Sequence, residues 1–185
     1  MKTKDQKTKK LKAIRSIVID QFYKEGWKEV WFYPPHDGVD GYMGTQDIIF
    51  VGLNPATANF PSWHDKMYYR NLKTFGFKNA HITDLFKVRA TNQEVKDKMS
   101  GWDFKEAGKI LKSEIETIEP RLIVLLGKSV EEIYCKMFPP KEVKDTIKVL
   151  TTKHYAYRYG SKKDLRRRIR KEMIIIADEY KKASK

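Results

Sequence analysis

The segment Leu122-Ile123-Val124-Leu125-Leu126 is an unbroken apolar run, with Pro120 shortly before it and Gly127 directly after it. A strand with one solvated face alternates apolar and polar side chains, whereas a strand covered on both faces has no reason to. Coverage on both faces is the condition of a parallel sheet, whose crossover helices lie above and below it. The run therefore points to an α/β fold before any other residue is considered.

The rest of the chain fits that frame. Leu11, Ile14, Val18 and Phe22 follow one helical face, which Gly26 ends. Asp47 to Leu53 reads as a first strand, Lys66 to Phe75 as a helix, and Ala80 to Leu85 as a short β-branched strand. Asn92 to Gly101 is a polar loop or frayed helix, after which Phe104, Ala107, Leu111, Ile115 and Ile118 mark another helix. Ser129 to Phe138 is helical until Pro139-Pro140, and Thr146 to Thr151 makes a fourth strand. Leu165, Ile169, Met173, Ile176 and Tyr180 trace a last helix. Strands separated by helices build β–α–β units. The expected architecture is a three-layer α/β/α sandwich around a central, mostly parallel four-stranded sheet.

A length of 185 residues suits one domain. Residues 11–185 are assigned to it, and residues 1–10, MKTKDQKTKK, to a basic, disordered arm. The single cysteine, Cys135, excludes a disulfide framework and a cysteine-held zinc or iron–sulfur site within one chain. Lying in the periodic run Val130-Ile133-Tyr134-Met137, it reads as a buried thiol. No segment reaches transmembrane length and no secretion signal is legible, so a cytoplasmic monomer without a membrane partner is expected.

Ligands of such sheets bind beyond the carboxyl ends of the strands, near the point where strand order reverses. Four polar sites follow strands here: Asn54-Pro55, Asp84, Gly127-Lys128-Ser129 and His154. Gly127-Lys128-Ser129 lacks the glycine five residues earlier that a nucleotide-triphosphate loop requires, since that position is Leu122. The helix start it opens offers free N–H groups to an anion, though a simple strand-to-helix turn accounts for it better. On local grounds alone an ordinary turn accounts for Asn54-Pro55 best. The aromatic and basic company of His154, with Tyr155, Tyr157, Arg158 and Tyr159, suits stacking against nucleobases.

The net charge of +14 narrows the partner. Residues 1–12 hold six lysines against one aspartate, and residues 161–185 hold ten lysines or arginines against four acids. Such an excess attracts phosphate backbones by counterion release. Lysines alone fit a solvated surface equally well, but Arg166-Arg167-Arg168 favours nucleic acid, because a guanidinium grips phosphate with a bidentate fork.

Gly52-Leu53-Asn54-Pro55-Ala56, Ile82-Thr83-Asp84-Leu85-Phe86-Lys87-Val88-Arg89, Pro120 to Val130, and His154-Tyr155-Ala156-Tyr157-Arg158 follow one another in register with the strands. In this order they resemble the motifs of the uracil-DNA glycosylase superfamily. The first is similar to the G-x-N-P segment of the mismatch-specific branch, and the pieces LNPATA and LFKVRAT to an uncharacterised branch with L-N-P-S-T-A. Two positions depart from the pattern. Asp84 stands where uracil-reading members often carry asparagine, and Tyr155-Ala156 replace a proline and a serine.

The resemblance implies a DNA glycosylase of base-excision repair, without cofactor, metal or iron–sulfur cluster. Its partner would be damaged or mismatched DNA, single- or double-stranded, from which a deaminated or mismatched base is flipped out and hydrolysed off. It implies that Asn54 positions the attacking water, that His154 stabilises charge on the departing base, and that Asp84 contacts the base edge or activates the water. Gly52, Leu53 and Phe60 would line the base pocket, though Phe60, Trp63 and Tyr68 fit equally as core aromatics. Lys87, Arg89, Lys128, Ser129, Arg166 and Arg167 would meet phosphates, and Arg158 would wedge into the vacated stack. Two alternatives stay open: a non-catalytic nucleic-acid-binding module of the same fold, and an N-glycosidase acting on free nucleosides or nucleotides.

Overall fold

The computed structural model describes residues 2–26, 29–91, 93–94, 102–139, 147–156 and 161–183. Arg158, the neighbouring Tyr157 and Tyr159, and most of the segment 92–101 lie outside the described residues. The helices are α1 (Lys4–Lys24), α2 (Trp63–Thr74), α3 (Trp102–Ile118), α4 (Lys128–Met137) and α5 (Lys162–Lys182). The strands are β1 (Gln46–Gly52), β2 (Ala80–Asp84), β3 (Leu122–Leu126) and β4 (Lys148–Thr152), and a 3-10 turn spans Gly41–Met43.

The four strands form one all-parallel sheet in the order β2-β1-β3-β4. Every residue of β3 is buried, as its unbroken apolar run requires. Each such aliphatic side chain contributes about 1.5–3 kcal/mol by leaving water. Helices α1, α3 and α4 pack together over one face, and α2 and α5 over the other, giving the three layers. Ser62 and Ser161 start α2 and α5 as reciprocal capping boxes with Asp65 and Asp164.

Two expectations need correction. Residues 4–10 are the first turns of α1, not a disordered arm. Thr3 and Gln6 form a capping box there, and the lysines reach the far end of α3. Lys7 Nζ donates to the Ile118 carbonyl at 2.6 Å, while Lys2 Nζ donates to the Glu116 carbonyl at 2.7 Å and pairs with Glu119 at 2.9 Å. The last carbonyls of a helix have no intrahelical donor and carry partial negative charge, so ammonium groups settle on them. Cys135 is exposed, not buried. The buried face of α4 is Val130 and Tyr134, one helical turn apart, and Cys135 points about 100° away from it.

Candidate active site

Because all four strands run the same way, the residues that follow them share one edge of the sheet. The chain leaves β1 for β2 on one side and then returns to β3 on the other, so the carboxyl ends of β1 and β3 bound the crevice. Asn54 follows β1 and Gly127 follows β3.

Asn54 is held by its neighbour loop. The ladder between β1 and β2 continues past the strands, with Leu85 N–H donating to the Gly52 carbonyl at 2.9 Å and Phe86 N–H to the Leu53 carbonyl at 3.0 Å. Farther along, Asn54 Nδ2 donates to the Ala90 carbonyl at 2.7 Å and to the Pro55 carbonyl at 3.2 Å. Both amide hydrogens are thereby committed, which fixes the amide plane and leaves Oδ1 as the free acceptor end.

Asp84 ends β2 directly opposite Gly52 in the sheet register. A Cβ at residue 52 would collide with Asp84 Oδ1, so glycine is required there for the carboxyl to fit. Asp84 is buried, and Tyr33 O–H donates to its Oδ1 at 3.4 Å. Burial raises its pKa to about 7, against the lowering pull of Lys87 and Tyr33.

His154 follows β4. Its Nδ1 accepts the Ala156 N–H at 3.1 Å, so in the neutral ring the proton sits on Nε2. Burial lowers its pKa to about 4, which keeps the imidazole uncharged at neutral pH. Gly127, with φ of +118°, occupies backbone space that favours glycine, and it lies in van der Waals reach of His154. Tyr155, one of the two departures from the motif, stacks on both His154 (centroids 4.5 Å) and Tyr68 (4.3 Å). Its hydroxyl donates to Asp65 Oδ1 at 3.0 Å and interacts with that of Tyr33. Asp65, Tyr155, Tyr33 and Asp84 therefore form a polar chain from α2 across the β4 exit to the β2 exit.

Several residues expected at a phosphate or base lie elsewhere. Lys87 is buried: its Nζ donates to the Asp84 carbonyl and to Glu114 Oε2 at 3.2 Å, so it cannot meet a phosphate. It lies in the turn after β2, where the buried Glu114 needs a cation. The Arg89 guanidinium lies over the Trp31 ring at 4.0 Å and pairs loosely with Glu29 at 4.0 Å. Tyr68 is a core aromatic. Phe60 is half-buried and meets Trp31, His36 and Tyr69 at centroid distances of 5.6–5.7 Å. Leu53 is half-buried beside Asn54, and Lys128 and Ser129 are exposed at the start of α4.

Arg166 and Arg167 are exposed on the first half of α5. Next to them, Arg168 Nη2 donates to the His154 carbonyl at 3.1 Å. Lys162 and Arg166 approach the Trp63 ring at 5.4 and 5.7 Å. Tyr33, Glu114 and the Ala90 carbonyl carry no sequence signal of their roles.

The family model of the uracil DNA glycosylase superfamily matches residues 41–175, from the 3-10 turn into α5. The chain belongs to that superfamily. Membership points to DNA glycosylase chemistry in general, on DNA as the partner. None of the described helices is long and apolar enough to cross a membrane. No curated protein matches the chain.

Proposed function

We propose that this member of the uracil DNA glycosylase superfamily is a monofunctional glycosylase that hydrolyses the N-glycosidic bond of a deaminated or mismatched base flipped from DNA. The observation that carries the reading is Asn54, whose amide hydrogens are bound by Ala90 and Pro55 so that Oδ1 stands ready for a water at the edge of the crevice. An amide is a poor base, so its service is to hold and aim the nucleophile.

Extruding the nucleotide costs roughly a few kcal/mol, least for a mispaired base. The bond then breaks with its electron pair leaving on the base, and the sugar carbon becomes cationic. Water held by Asn54 adds to that carbon and gives up a proton, which finally neutralises the base anion. His154, neutral and protonated on Nε2, donates to the base oxygen where negative charge gathers, a bond that strengthens as the charge develops. Asp84 meets the base edge, with Gly52, Leu53 and Phe60 around the base. Lys128, Ser129, Arg166 and Arg167 take the phosphates, the first two at the N-terminus of α4.

The test is base release from oligonucleotides bearing uracil, hypoxanthine, xanthine or mismatched thymine, read as alkali-labile sites. Asn54→Ala should lower release by roughly a hundredfold or more while DNA affinity stays within a few-fold. Equal rates in the two proteins would remove Asn54 from the mechanism. Binding without release from any lesion would leave the non-catalytic module in its place.

A further inference from the structure

A carboxylate sunk among tyrosines and aliphatic side chains needs a cation or several donors to remain ionised. Asp84 has neither. The one buried ammonium beside it, Lys87, spends its hydrogen bonds on the Asp84 main-chain carbonyl and on Glu114. Burial acts to raise Glu114, but Lys87, with His81 and Tyr42, overrides it and leaves that carboxyl below its usual range. Two buried carboxyls thus share one cation, and Glu114 holds it. Among the described residues the only hydrogen bond reaching the Asp84 carboxyl is the long one from Tyr33 to Oδ1.

We propose that Asp84 meets the extruded base as a neutral carboxylic acid, donating from Oδ2 to a ring carbonyl and accepting the adjacent ring N–H at Oδ1, so that bases with a lactam edge are taken only while the proton is held. This rests on the glycosylase reading above and adds what the site selects. A protonated carboxyl presents a donor beside an acceptor, as an amide does, whereas an ionised one only accepts and repels a carbonyl oxygen. Tyr33 pins the acceptor to Oδ1, so the edge is read in one sense. Hydrolytic deamination replaces a ring amine by a carbonyl and moves a proton to the neighbouring nitrogen, which reverses that sense. Uracil, hypoxanthine and xanthine fit; cytosine and adenine present the opposite pattern.

Lys87 from the turn after β2 and Tyr33 from the segment before the 3-10 turn favour the anion, while Glu114 of α3 and Asp65 of α2 oppose it. Tyr68, Tyr69 and Tyr155 face the carboxyl as neutral phenols, their own pKa values raised by burial. Burial outweighs the rest and sets the proton's loss at about 7.

The experiment measures base release by the full chain from uracil and hypoxanthine oligonucleotides between about pH 5.5 and about pH 9, beside the infrared carbonyl band of a protonated carboxyl. The wild type should be level up to about pH 7 and then lose rate roughly tenfold per pH unit. Asp84→Asn, which keeps donor and acceptor at every pH, should retain its rate above about pH 7 where the wild type does not; Asp84→Ala should be slow throughout. The infrared band should be present near pH 6 in the wild type and missing in Asp84→Asn. A missing band in the wild type, or a shared flat profile for wild type and Asp84→Asn, overturns the inference while leaving the glycosylase standing. A protonated Asp84 with no release at any pH overturns the glycosylase reading, and the base-edge role with it.

Discussion

Burial holds both Asp84 and His154 towards their uncharged forms, with opposite consequences for stability. Below 3.8 Asp84 is protonated whether or not the chain is folded. Above it the unfolded chain ionises while the folded one keeps its proton to about 7, so stability falls across that interval. The span corresponds to about 4 kcal/mol. Asp84→Asn lacks this loss, and urea denaturation should find its advantage over the wild type larger at about pH 8 than at about pH 5, by about 2–3 kcal/mol. His154 works the other way: its pKa is depressed, so the stability it carries is complete above 6.5 and lost as pH falls towards about 4. The places of Asn54 and His154 at the carboxyl edge of the sheet were legible in the sequence because each lies just past a strand of recognisable pattern. The Tyr33–Asp84–Lys87–Glu114 cluster was not, since it joins four segments far apart in sequence and only burial says which charges pair.

At the scale of elements, the apolar periodicities located the four strands and five helices named above to within a few residues, except at the start of α1, because each is set by which face must leave water. The N-terminal lysines were misread for a related reason. Lysine beside lysine looks like a solvated tail, yet Lys7 is buried at the carboxyl end of α3, with its pKa lowered by that burial. Nothing local to residues 1–10 announces an acceptor more than a hundred residues away. Lys7→Ala strands the buried Ile118 carbonyl and should cost about 1–3 kcal/mol in chemical denaturation. The same variant should leave the salt dependence of DNA binding unchanged, because that charge is already spent inside the fold.

For the molecule as a whole, the formal +14 overstates what a phosphate meets. Lys2, Lys7 and Lys87 serve the fold, and the cations that remain outside include a row along the first half of α5: Lys162, Lys163, Arg166, Arg167 and Arg170. Replacing Arg166 and Arg167 together with alanine should reduce the slope of log affinity against log salt by about 1.8 on duplex DNA, with little dependence on sequence. Titrating binding across salt concentrations checks this; a slope equal to that of the wild type would move the binding face elsewhere. The same helix also anchors the β4 exit through Arg168. Under the proposed function, then, the rail that rides on the nucleic acid and the imidazole that assists bond cleavage keep a constant offset, and a duplex seated along one arrives already aligned with the other.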